Sequence, residues 1–387
     1  MKHFLWILLL WVLAPVTLPA EVISSPLGGF FLDPPEQWLF ASDPSPEHLV
    51  LTDASRRAVF EVYTQNLGEA QRPNLKFLTQ KAQDLKTKLK AKGEEGIFLW
   101  NGQPAVMGNW EYQAGRYPVQ GWVLFVSNDV DRMWTALAYA PQDFYDEFAD
   151  EIISTINSFA VGQKGRDLPG PLSSLFTQSG DSPLQKLSTL PKLPDAVNLY
   201  ISPDQNEMIL ATIERETRLL IPHVEQPSFS KAWSRYYRQI YREIREGLAP
   251  LAQIWQEKAQ SMEWNPQEQA QALLAWLQSF DYVRKGGLTD LSTPWEVLKE
   301  GKGDCDSLAL MYLAILDHLG QRGILMVSST YKHAMAALDL AGDGARFPFA
   351  NNNWLVAELT ATVTLGQIDS TMANPDEWLG IDVLGSP

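Results

Sequence analysis

The chain is 387 residues long and 45% hydrophobic, with 46 acidic residues against 31 basic ones and a formal charge of -15. That length and apolar fraction leave room for two or three domains with real cores and exclude a chain that is disordered overall. The acidic excess argues against nucleic acid as a partner and against broad adhesion to anionic surfaces.

In chain order, residues 1–20 read as a secretory signal: Lys2 and His3, an apolar run from Phe4 to Leu13, then Leu18-Pro19-Ala20 before Glu21. The run is too short for an ordinary membrane span, so no transmembrane domain is expected beyond this segment. Cleavage after Ala20 is the simplest outcome. An uncleaved anchor is the alternative, because Leu18 is not the small residue preferred there. The expected location is periplasmic or secreted.

Residues 21–162 read as one α+β domain on an antiparallel sheet, a binding or scaffolding unit. Phe30 to Leu32, Trp38 to Phe40, His48 to Leu51 and Ala58 to Tyr63 are strand-like runs broken by Pro, Asp and Ser. Leu75, Leu78, Ala82, Leu85 and Leu89 then fall on one helical face. Two hairpins follow, one turning at Asn101-Gly102 and one around Asn128 to Asp131, and Phe144, Phe148, Ile152, Ile156 and Phe159 predict a closing helix. In element order alone, this domain resembles the small antiparallel-sheet domains of the photosystem PsbP and Mog1 type.

Residues 163–194, rich in Pro, Ser, Gly and Leu, read as a linker. The third region, 195–387, opens on an expected hairpin, Val197 to Ile201 with Met208 to Ile213, turning at Pro203-Asp204-Gln205-Asn206. From Ser230 to Gly247, Trp233, Tyr237, Ile240 and Ile244 form an apolar helical face opposite Arg235, Arg238, Arg242 and Arg245, a stripe read as solvated. Asn265-Pro266-Gln267-Glu268 has the residues of a capped helix start.

Cys305 is the only cysteine. It stands where Lys302-Gly303-Asp304 hands over to the apolar run Leu308 to Leu316, with Asp304 as N-cap. The start of a helix offers unpaired N–H groups and partial positive charge, which stabilise a thiolate and can hold an oxyanion. In an exported protein, a lone thiol is either buried and inert or retained for chemistry. Downstream, His333 opens a strand-like run and Glu358 stands as a lone carboxylate in Trp354 to Ala361. Thiol, imidazole and carboxylate on separate elements suit a nucleophile–base–orienter device. Asp339 is the competing acid. Gln278, on the helix before Tyr282, is a candidate oxyanion donor or else a solvent-facing residue.

These residues resemble the transglutaminase-like superfamily, in its bacterial cysteine-peptidase-like branch. The likeness rests on Tyr282, Pro294-Trp295-Glu296-Val297-Leu298, Gly301 to Asp306, Lys332-His333-Ala334 and Trp354 to Thr360, and spans roughly residues 265 to 365. It implies a papain-related C-terminal α+β domain with Cys305 as nucleophile, His333 as base and Glu358 orienting the histidine. Glu358 departs from the Asp that many members carry. The reaction implied is cleavage or transfer of an amide in a protein or peptide through a Cys thioester, cell-wall peptides being one candidate class. Because such domains also occur as silent assembly modules, a non-catalytic periplasmic binding module is the alternative.

No cofactor is expected. No His-x-x-x-His or Cys/His cluster suggests a metal, and no Gly-x-Ser-x-Gly elbow, phosphate loop or dinucleotide fingerprint is present.

Overall fold

The computed structural model describes residues 22–25, 27–68, 73–128, 130–193, 196–284, 286 and 291–384. The leader read over residues 1–20 lies outside them. The chain is mixed α+β and divides into two compact units, Met1–Arg166 with Gly170–Ser179, and Asp167–Pro169 with Gly180–Pro387.

In the first unit, β1 (Ile23–Ser25) and β2 (Phe30–Leu32) pair at one side of the fold. Then come β3 (Leu39–Phe40), β4 (His48–Thr52), β5 (Val59–Asn66), α1 (Leu75–Leu89), β6 (Glu95–Trp100), β7 (Gln103–Ala114), β8 (Tyr117–Ser127), β9 (Arg132–Pro141) and α2 (Tyr145–Ser158). Strands β3 to β9 form a seven-stranded sheet in the order β3-β4-β5-β9-β8-β7-β6, every pair antiparallel. The expected turn at Asn101-Gly102 closes β6 on β7, both residues at positive φ (55° and 75°) as a tight hairpin requires.

Strand periodicity of two buries both faces. Leu124 and Val126 of β8 pack under α2 with Phe148, Ile152 and Ile156, while Val123 and Phe125 pack under α1 with Leu78 and Ala82. Next, β10 (Ala160–Val161) pairs with β2, and α3 (Gly162–Gly165) and α4 (Pro171–Ser179) follow.

The second unit begins with β11 (Gln185–Thr189) and β12 (Ala196–Ile201), antiparallel to each other. Helices α5 (Pro203–Leu220), α6 (Phe229–Gly247), α7 (Ala249–Ser261) and α8 (Pro266–Gln278) come next, the last with the full capping box at Asn265 and Glu268. After α8, β13 (Asp281–Tyr282) pairs in parallel with β14 (Lys302–Gly303) across α9 (Pro294–Glu300), and α10 (Cys305–His318) leads into β15 (Gly323–Ser328) and β16 (His333–Leu338). The sheet is completed by β17 (Arg346–Phe349), β18 (Asn352–Ala357) and β19 (Leu379–Ile381), in the order β17-β18-β16-β15-β19. Helix α10 is buried on all sides from Leu308 to Leu316 and lies against the face carrying Leu325, Val327, Ala334, Ala336 and Ala357. Trp354 and Trp378 cover the opposite face with Met326 and Met335.

Several expectations are corrected by this layout. The 163–194 stretch is not a coreless linker, since α4 buries Leu172 and Leu175 in the first unit and β11 belongs to the second. Asn157 makes the difference by accepting the Leu172 and Ser173 N–H groups at 3.1 and 3.2 Å, which fixes the start of α4. Met208 to Ile213 is helical rather than a hairpin arm. Ser202 accepts the Gln205 N–H at 3.2 Å as N-cap and Pro203 takes the first position, so the polar run read as a turn is a helix start.

The arginine stripe of α6 is not solvated. Arg235 is 2% and Arg242 7% exposed, and buried Glu216 on α5 pairs with both Arg235 (2.6 Å) and Arg215 (3.0 Å). Arg245 reaches Asp317 of α10 at 2.5 Å. These pairs clamp α6 to α5 and α10, because a buried guanidinium is tolerated only when paired.

Candidate active site

The local sequence fixes the Cys305 backbone. Gly301 closes α9 at φ 66°, and a Cβ on Gly303 would sit 3.0 Å from Leu308 Cδ2, so the chain passes close against α10 before turning into it. Asp304 then caps α10 by accepting the Ser307 N–H at 2.7 Å. Cys305, at 5% exposure, is the first residue of the helix, as the sequence led one to expect.

His333 opens β16 directly after Lys332, whose φ of 51° is unusual for a residue with a side chain. The Ser328 hydroxyl holds the preceding turn by accepting the Tyr331 N–H at 3.1 Å. His333 Nε2 donates to Glu358 Oε2 at 2.7 Å, with the two side chains 9% and 5% exposed. Glu358 follows the last residue of β18, and its other oxygen, Oε1, accepts the N–H and hydroxyl of Thr360, each at 2.7 Å. Both carboxylate oxygens are therefore occupied, and Nδ1 is the imidazole nitrogen left for proton transfer. Ala334, one residue beyond His333, shares a buried cluster with Cys305, and its N–H lowers the thiol's pKa.

The structure joins His333 to Glu358 and places Cys305 in one buried cluster with Ala334, the residue after His333, while the other two candidates take different places. Asp339 lies six positions along β16 from His333, about 20 Å away at strand rise, and its N–H bonds Arg322. Gln278 does not face solvent, and it spends its amide donors on the carbonyls of Glu358 (2.7 Å) and Val363 (3.0 Å). With both N–H bonds committed, it fixes the turn that carries Glu358 and leaves no donor for an oxyanion.

Three neighbours of the thiol and the imidazole were given no role from the sequence. The phenol of Tyr282, 44% exposed on β13, lies close enough to Cys305 for the thiol to raise the phenol's pKa, second to burial. Trp378 stands edge-on to His333 with ring centroids 6.2 Å apart, and its Nε1–H is fixed on the Met372 carbonyl at 2.9 Å. The Cys305 thiol donates to Asp306 Oδ1 at 3.2 Å, while Asp306 Oδ2 accepts from Tyr237 of α6 at 2.5 Å. Only Asp306 had a local signal, as a second acid beside the nucleophile. Tyr282 is among the residues that carry the family resemblance, whereas Trp378 stands at a position with no periodic or motif relation to Cys305.

Electrostatics runs against the thiolate expected from the helix start. Burial first, then the Asp306 carboxylate, push the Cys305 thiol well above its ordinary value, and the Ala334 N–H offsets this only in part. At Glu358, burial pushes upward, but the His333 bond and charge together with Thr360 outweigh it and hold the carboxyl below its ordinary range. Glu358 is therefore ionised at neutral pH, and Cys305 rests as a thiol.

Among the described residues, no three His, Cys, Asp or Glu side chains converge to hold a metal ion. No helix among them is long and apolar enough to cross a membrane. A cavity of about 20 Å³ lined by Tyr241, Leu313 and Asp317 lies towards the C-terminal end of α10, away from Cys305. It has room for a water molecule and nothing larger.

No family model matches the chain, and no curated protein does. Among solved structures, it is similar to cyanobacterial PsbP (CyanoP) from Synechocystis at 15% identity, over 39% of this chain and 98% of that one, with a TM-score of 0.30. A crystal structure from Bacteroides thetaiotaomicron is similar at 10% identity, over 59% and 78% of the two chains, with a TM-score of 0.27. The Ran-binding protein Mog1p of Saccharomyces cerevisiae follows at 13% identity, over 36% and 94%, with a TM-score of 0.26.

Proposed function

We propose that the second unit is an exported, transglutaminase-like cysteine enzyme that cleaves or transfers an amide of a protein or peptide through a Cys305 thioester. The observation that carries this reading is the buried His333–Glu358 bond of 2.7 Å, at the start of a strand whose next residue, Ala334, shares a buried cluster with Cys305.

The chemistry follows from those positions. His333 Nδ1 takes the thiol proton, and the sulfur lone pair attacks the substrate carbonyl carbon. The oxyanion is met by the Cys305 N–H at the start of α10, with the Tyr282 hydroxyl as the second donor in place of Gln278. His333 returns the proton to the leaving amine. Water, or a second amine, then attacks the thioester and gives hydrolysis or transamidation. Glu358 keeps the imidazole in the tautomer with Nε2–H and stabilises the imidazolium without itself taking the proton. An extracytoplasmic site and peptide substrates, cell-wall peptides among them, suit the leader read over residues 1–20.

A second reading, a non-catalytic binding or assembly module, is favoured by the Asp306 bond that holds Cys305 as a thiol. The two separate on a simple acyl donor. Incubation of the full chain with a p-nitrophenyl ester of an N-acyl amino acid is expected to leave one acyl group on Cys305 by intact mass, sensitive to hydroxylamine and absent in Cys305→Ala. No adduct in a folded protein whose thiol still reacts with iodoacetamide would favour the binding module.

A further inference from the structure

We propose that Asp306, anchored by Tyr237, is a positioning residue that holds Cys305 as a thiol directed into its carboxylate and so sets the pH at which the nucleophile is released to His333. The inference deepens the reading of Cys305 as nucleophile and rests on it. Asp306 Oδ1 lies 3.2 Å from the sulfur, and its Oδ2 accepts from Tyr237 at 2.5 Å. Tyr237 is 1% exposed on α6, so the far side of the carboxylate is fixed by a buried donor on another element.

While the S–H points at Asp306, its hydrogen is not aligned with the His333 ring. Release breaks that hydrogen bond by rotation of the thiol. The S–H bond then breaks towards His333 Nδ1, the electron pair stays on sulfur, and Asp306 ends with the charge it began with.

The groups facing the sulfur fall into two sets. Burial disfavours a thiolate, and so do Asp306 on α10 and Asp304 at its N-cap. The Ala334 N–H acts the other way, the Tyr282 phenol on β13 lies beside the sulfur with Arg284 acting on that phenol, and His333 at the start of β16 is held by Glu358. Tyr237 itself is kept protonated by burial and by the Asp306 charge, and remains a donor.

The test is the pH profile of iodoacetamide labelling of the full chain, read by mass spectrometry at its single cysteine. Asp306→Asn keeps the shape and removes the charge. It should lower the labelling midpoint by about one to three pH units, the size a neighbouring carboxylate imposes. An unchanged or raised midpoint in the folded variant, with labelling still dependent on His333, overturns the proposal and leaves the nucleophile reading standing. Should the variant not fold, the infrared S–H band of the native chain at neutral pH decides, identified by its loss in Cys305→Ala. A band lowered in frequency by hydrogen bonding supports Asp306 as the acceptor, whereas no S–H band means a resting thiolate and overturns it. Loss of labelling and of acyl adduct together, in the folded native chain, would instead count against the nucleophile itself.

Discussion

Each unit buries one glutamate beside a histidine, and the two pairs are put to different use. Glu61 on β5 is 5% exposed and Glu358 after β18 is 4% exposed. Both carboxyls feel burial first, which pushes them upward, and both are nonetheless held below the ordinary value by the groups around them. Glu61 gives its oxygens to two phenols, Tyr63 at 2.6 Å and Tyr139 at 2.5 Å, whose own ionisation burial pushes far up. His48 stacks on Tyr63 and keeps its Nε2 3.9 Å from Glu61, beyond hydrogen-bond reach. Glu358 instead holds an imidazole at 2.7 Å, one residue from Ala334, which shares a buried cluster with Cys305. Burial and a lowered carboxyl do not make a site. What matters is whether the carboxylate's partner can in turn move a proton to a reactive atom.

Substitutions should separate the two pairs, with the largest effect at the thiol and imidazole. Cys305→Ala is expected to abolish acylation, and His333→Ala to slow it by about 10²–10⁴-fold, the usual span for a general base, in a stopped-flow assay with the nitrophenyl ester. Glu358→Gln removes a charged hydrogen-bond acceptor worth about 1.5–3 kcal/mol, so a loss of about ten- to a hundredfold is expected. Glu61→Gln should leave that rate unchanged and lower the stability of the first unit by about 1–3 kcal/mol in denaturant titration. Its pH dependence has a definite sign. The folded carboxyl is depressed, so its contribution is fully present above the unfolded value near 4.5 and is lost as pH falls through the lower folded value. The Glu61→Gln and native stability curves should therefore converge in acid.

Smaller effects come from the residues that the structure moved out of the site. Gln278→Ala loses two neutral hydrogen bonds to the turn carrying Glu358, each worth about 0.5–1.5 kcal/mol, and should slow acylation by about tenfold or less. A loss as large as that of His333→Ala would return Gln278 to the oxyanion role. Asp339→Asn should change the rate by less than about twofold, since the residue lies at the other end of β16.

Much of this was legible in the sequence because it was local. The Asn265 and Asp304 caps and the Asn101-Gly102 turn are each written within a few residues, and the order of Cys305, His333 and Glu358 on successive elements follows from short runs around each. What was not legible depends on long-range partners. The arginines of α6 read as solvated until Glu216 and Asp317 arrive from other helices, and the run after Ser202 read as a turn until Ile209, Ile213 and Leu220 found a core. Helix α4 hid in a Pro- and Ser-rich stretch because its anchor, Asn157, lies on α2. In the site itself, the depressed thiol expected from the helix start failed for the same reason: burial and the Tyr237-anchored Asp306 carboxylate outweigh the helix end.

The most direct test of the central claim needs no substrate. The full chain, folded at pH 7, is treated with iodoacetamide, and the labelling rate of Cys305 is followed by intact mass in the native protein and in His333→Ala, with near-ultraviolet circular dichroism as the check on folding. A thiol that passes its proton to His333 predicts labelling slowed by about 10²-fold in the variant. Equal rates in two folded proteins would contradict it, and would leave Cys305 a buried thiol that happens to lie near a histidine.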